Sequence, residues 1–134
     1  MAQDLQLAAS LSEVARMNDW LAGVFADTAL PEDVAQAAKL CLNELVANVI
    51  VHGYPDGREG RIDVRLDARD GALAVTLADD GIAFDPLAAP LAEAMTGLDD
   101  ARIGGFGIKL FRESSHSARY ERSGGRNILR FVCG

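Results

Sequence analysis

Two alternating runs near the middle of the chain, residues 61–68 and 72–78, flank the pair Asp70-Gly71. Alternation puts every second side chain on one face of a strand. Asp-Gly tolerates the left-handed backbone that a two-residue hairpin loop demands. A β-hairpin follows, and its apolar face needs a covering layer. The arrangement recurs at the end of the chain, where residues 117–122 and 127–132 flank Gly124-Gly125.

The covering layer stands upstream. Residues 4–8 alternate briefly and read as a first strand. Ser10 with Glu13 three residues on is a capping-box pattern for a helix entering at Leu11. Leu11, Val14, Leu21, Val24 and Phe25 then recur at helical spacing to about residue 26. A second helix is expected from near Pro31, with Glu32 and Asp33 at the positive end of its dipole, to a stop at Gly53. Residues 79–107 carry no sustained period and are longer than most connections, as functional lids are. A third helix is expected over 106–114. The order strand, helix, helix, hairpin, long loop, helix, hairpin predicts an α+β two-layer sandwich, a mainly antiparallel sheet with helices on one face.

At 134 residues, 49% apolar, the chain has the size and core of one domain, taken as residues 1–134. A net charge of −7 argues against a nucleic-acid binder driven by phosphate contacts, which needs clustered Lys and Arg. Cys41 and Cys133 are too few and too separated for a metal knuckle or disulfide scaffold and read as buried thiols. The N-terminal residues carry acid where a signal peptide carries base, and no apolar stretch approaches the roughly 20 residues that cross a bilayer. The expected compartment is the cytoplasm, with no membrane partner.

Three groups of residues could carry chemistry. On the second helix, Glu44, Asn48 and His52 step by four and form a polar ridge beside the stripe of Val34, Ala38, Cys41, Leu42, Leu45 and Val49. A solvated helix face would present the same spacing. In LADDGIAFDPL, an apolar strand runs into Asp79, Asp80 and Gly81, so one carboxylate can stay partly buried and accept a hydrogen bond from an exocyclic amine. Strand-Asp-x-Gly is also a plain turn. In RIGGFGIKL, Gly104, Gly105 and Gly107 precede or open a helix, where bare amides suit a phosphate. Rossmann and Walker patterns are absent.

Taken in order, ELVANVIVHG, DDGIAFDPL and GGFGIKL resemble the three boxes of the GHKL (histidine kinase-like) ATPase superfamily, closest to its anti-sigma-factor serine/threonine kinases (RsbW-like). The resemblance implies a Bergerat-type sandwich binding ATP with Mg²⁺ beneath a lid. It implies that Asn48 holds the metal, Asp79 receives the adenine amino group, and Gly81 approaches the base. Gly104, Gly105 and Gly107 would wrap the phosphates, and Glu44 would act as general base. His52 matches a position that is frequently histidine, with no step assigned to it; a helix-end cap is its alternative.

Two departures stand out. Ala83 occupies the last glycine of the second box, and Ser115 and His116 stand where relatives carry an acid. Neither removes an expected ligand to magnesium or adenine. With no dimerising phosphoacceptor segment read before the domain, the acceptor is expected on another protein. In the resembling family it is a Ser or Thr of a small anti-sigma-factor antagonist, while the kinase, as a homodimer, also sequesters a sigma factor. Two alternatives share these residues: a non-catalytic module in which nucleotide gates a protein-binding surface, and a switch kinase that activates a phosphatase in a stress-signalling assembly.

Overall fold

A computed structural model describes residues 2–55, 57–85 and 115–134. Their order is β1 (Ala2–Ala8), α1 (Glu13–Ala26), α2 (Glu32–Gly53), β2 (Arg61–Arg69), β3 (Ala72–Asp79), β4 (Ser115–Ser123) and β5 (Arg126–Cys133). The expected third helix and most of the long loop lie outside the described residues. The rest of the expected architecture is present: both helices cover one face of an antiparallel sheet ordered β1-β2-β3-β5-β4.

Both hairpins close on tight turns. Asp70 and Gly71 have φ of 53° and 80°, and Gly124 and Gly125 have 59° and 76°. Positive φ at both central residues matches the right-handed twist of the flanking strands. Inward positions of three neighbouring strands, Ile62, Val64 and Leu66, then Leu73, Val75 and Leu77, then Leu129, Phe131 and Cys133, form the floor of the core. Opposite them lie Met17, Leu21 and Val24 of α1 and Ala38, Cys41, Leu42, Leu45 and Val46 of α2. Each fully buried Leu or Met contributes about 1.5–3 kcal/mol by leaving water.

The start of α1 departs from expectation. The helix begins at Glu13, and Leu11, expected on its apolar face, is 57% exposed in the turn before it. Glu13 does not reach back to Ser10. Its carboxylate accepts the Ala8 N–H at 3.0 Å and holds Arg16 at 2.9 Å, while Arg16 donates to the Gln6 carbonyl. The end of β1 therefore occupies the group that would have closed the capping box. Met17, absent from the expected stripe, is fully buried instead.

Pro31 caps α2, its carbonyl accepting the Ala35 N–H at 3.1 Å. At 22 residues, α2 is long and apolar enough to match a bilayer span by length and composition, which corrects the expectation that no stretch approaches that length. About a third of that apolar window is buried against the rest of the fold, Leu40 and Val51 stay exposed, and Lys39 and Glu44 interrupt the apolar run. Asn43 exchanges hydrogen bonds with Asn18 of α1 at 2.9 and 2.7 Å, which sets how the helices meet. Both thiols are buried, as expected. Burial pushes the Cys41 thiol up to about 12, and Cys133 adds to the rise.

Candidate functional site

Strand alternation sorts the two adjacent aspartates. Asp79 ends β3 on the helix-covered side, 4% exposed, paired in register with Ile62 of β2 and Asn127 of β5. Asp80 turns the other way. Its Oδ1 accepts the Tyr54 hydroxyl at 2.6 Å and the Arg61 N–H at 2.9 Å, so it fastens the strap that leaves α2. The Arg61 N–H and the Tyr54 hydroxyl hold the Asp80 carboxyl below its ordinary range.

Asp79 has a different balance. Burial raises its pKa, while hydrogen bonds from Asn127 and Gly81 oppose the rise. Both bonds fall on Oδ1, from the Gly81 N–H at 2.9 Å and the Asn127 Nδ2 at 3.0 Å. Among the described residues, Oδ2 receives no hydrogen bond.

Gly81 is required by close packing. A Cβ there would lie 2.8 Å from the Gly53 carbonyl oxygen and 3.0 Å from the Gly53 Cα, both backbone atoms at the end of α2. That carbonyl also accepts the Ile82 N–H at 2.9 Å. The helix and the turn after β3 are thereby fixed to one another. Ala83 sits without positive φ, so its replacement of a glycine causes no backbone strain.

Beside Asp79 lies an apolar slot between α2 and the sheet. Leu45 and Val49 line it from the helix, Leu77 and Leu129 from the strands, and Phe84 and Tyr120 at the side. Asn48 joins the lining, so the structure brings Asn48 and Asp79 to one cavity. Glu44 does not line it. It stands one turn earlier on the same ridge, half-buried, and burial pushes its carboxyl above the ordinary range. His52, one turn later, is exposed and stacks on Phe84 with ring centroids 6.3 Å apart. Gly104, Gly105 and Gly107 lie outside the described residues, and nothing structural is assigned to them.

Sequence reasoning missed Asn127 and Phe84. Asn127 shares strand parity with Leu129, Phe131 and Cys133, so an amide at an inward position was a readable signal. Phe84 had none: an aromatic in an aperiodic stretch has no face until the turn is built. Apolar walls, one buried carboxylate with an oxygen that receives no hydrogen bond among the described residues, and an amide and a second carboxyl along the adjoining helix are the chemistry that recognises a flat heterocycle bearing an amine, with a polar tail.

The sequence profile described as the histidine kinase-like ATPase domain matches residues 7–133. A serine/threonine-protein kinase, BtrW, of Bordetella bronchiseptica is 36% identical over 93 residues, covering 67% of this chain and 63% of the relative. The anti-sigma F factor of Clostridium novyi is 24% identical, covering 69% and 66%. The serine-protein kinase RsbW of Staphylococcus epidermidis is 28% identical, covering 61% and 52%. The chain thus aligns with about half to two thirds of the length of these relatives.

Proposed function

The chain belongs to the histidine kinase-like ATPase domain family, and on that premise we propose that it is an ATP-binding serine/threonine protein kinase acting as an anti-sigma factor. Its substrate is a hydroxyl of a small anti-sigma-factor antagonist protein, and phosphorylation switches its partner. The observation that carries the reading is the slot lined by both Asn48 and Asp79, whose Oδ2 receives no hydrogen bond among the described residues. The names of the Bordetella and Staphylococcus relatives support the kinase half, and that of the Clostridium relative supports a sigma factor as second partner. The family resemblance supports a homodimer.

The chemistry of these residues matches the groups of the nucleotide. Asp79 Oδ2 would accept the adenine amino group, and the leucines and Val49 would cover the faces of the base. Asn48 offers a single neutral oxygen, which suits Mg²⁺, an ion that keeps most of its shell as water and phosphate. When bound, Mg·ATP supplies the phosphoryl group and neutralises charge on its oxygens. Glu44 takes the proton of the attacking hydroxyl: burial has made its carboxylate a stronger base than a solvated one. The helix holds Glu44 and Asn48 about 6 Å apart along the axis, so proton acceptor and metal ligand serve one phosphate tail.

Incubation of the chain with Mg·ATP and its antagonist protein is the test. The expected result is phosphoserine or phosphothreonine on the antagonist, with Glu44→Gln binding ATP as the parent does and transferring about 100-fold more slowly or worse. Partner release driven by ATP with no phosphoprotein, and unchanged in Glu44→Gln, would replace the kinase with a nucleotide-gated binding module.

A further inference from the structure

Asn127 is the second residue of β5 and 6% exposed. A carboxamide offers two N–H donors and an oxygen with two lone pairs, and here all four are engaged. Nδ2 donates to Asp79 Oδ1 at 3.0 Å and to the Ile82 carbonyl at 2.8 Å. Oδ1 accepts the Phe84 N–H at 3.2 Å and the Tyr120 hydroxyl. An N–H can only donate and a carbonyl can only accept, so Phe84 and Ile82 fix which way the amide points. No polar capacity is left over for a ligand.

We propose that Asn127 is a positioning residue for base recognition: it ties Asp79 Oδ1 into the protein, so that Oδ2 alone is presented to the slot. The inference rests on the reading of Asp79 as acceptor of the adenine amine and adds the group that aims it. The second torsion of an aspartate is broad and roughly two-fold, so burial does not by itself choose which oxygen faces the base. The Gly81 N–H supplies one bond to Oδ1, but it belongs to the same turn and moves with it. Asn127 comes from a different strand. It also joins Asp79 to Ile82 and Phe84, so the carboxylate and the wall of the slot are aimed together.

Isothermal titration with ATP and with inosine triphosphate, which carries a carbonyl oxygen in place of the amino group, is the test. The parent is expected to favour ATP by about 10- to 100-fold, the range of one hydrogen bond to a charged acceptor. Asp79→Asn should abolish or reverse that preference. Asn127→Asp is isosteric, keeps an oxygen for Phe84 and Tyr120, and loses both donors. Asn127→Leu removes the whole network. In folded samples of either, checked by circular dichroism, the preference should fall to within about threefold.

If both variants weaken the two nucleotides by one common factor and keep the parental preference, Asn127 only supports the fold and the proposal is overturned. If the parent itself shows no preference, or Asp79→Asn retains it, the reading of Asp79 falls first and this inference falls with it. The two failures are therefore separable.

Discussion

At the residue scale, the site is built from groups that the fold holds at some cost. Glu44 and Asp79 are both shifted upward by burial, which means folding disfavours their charged forms. The sign follows: the stability associated with such a carboxyl is fully present below its unfolded value and is lost as pH rises through its folded one. Glu44→Gln should therefore raise the urea midpoint of the nucleotide-free protein at neutral pH, and the gain should vanish below about pH 4. A gain that persists in acid would point to packing instead of charge. Gly81 is constrained differently, because a methyl there meets backbone of α2 that cannot rotate away. Gly81→Ala should cost about 1–3 kcal/mol in thermal or urea unfolding and weaken ATP binding through its bond to Asp79. Unchanged stability and affinity would mean that the helix and the turn separate freely.

At the element scale, the edge strand β1 and the β2–β3 hairpin are secured by different chemistry. Glu13 links β1 to α1, and its hydrogen bonds with Arg16 and the Ala8 N–H hold its pKa down at about 2. A lowered carboxyl contributes stability that is present above its ordinary value of 4.5 and lost as pH falls towards 2. Urea midpoints of the parent and Glu13→Gln should therefore differ at pH 6 and converge near pH 2, and parallel pH profiles would dismiss the link. The β2–β3 hairpin depends on backbone shape. Gly71 has φ of 80°, so Gly71→Ala should lose about 1 kcal/mol, measured by chemical unfolding, while nucleotide affinity is spared. The strands, both turns and α2 were legible because alternation and helical spacing are local patterns. The entry to α1 was not, because Glu13 is claimed by Ala8 of the preceding strand and not by its own first turn.

At the scale of the whole molecule, binding and folding are one equilibrium. ATP at 100 times its dissociation constant should stabilise the chain by about 2.7 kcal/mol, seen as a raised melting midpoint, and Asp79→Asn should remove that shift at the same ATP concentration. An equal shift in the variant would place the nucleotide elsewhere. How much of this was readable in advance depends on how far each signal reaches along the chain. The sequence by itself determined an α+β sandwich with two closed hairpins, the ridge of Glu44 and Asn48, and an aspartate at a strand end, since each follows from spacing within a dozen residues. Only the tertiary structure decided that Asp79 and not Asp80 lines the slot, with one oxygen that receives no hydrogen bond among the described residues. The same holds for Gly81 closing on Gly53, and for Asn127, 48 positions from Asp79, completing the carboxylate's hydrogen bonds. Those contacts form when β3 is sandwiched between β2 and β5 beneath α2, and no local periodicity records which distant partner a buried polar group will meet.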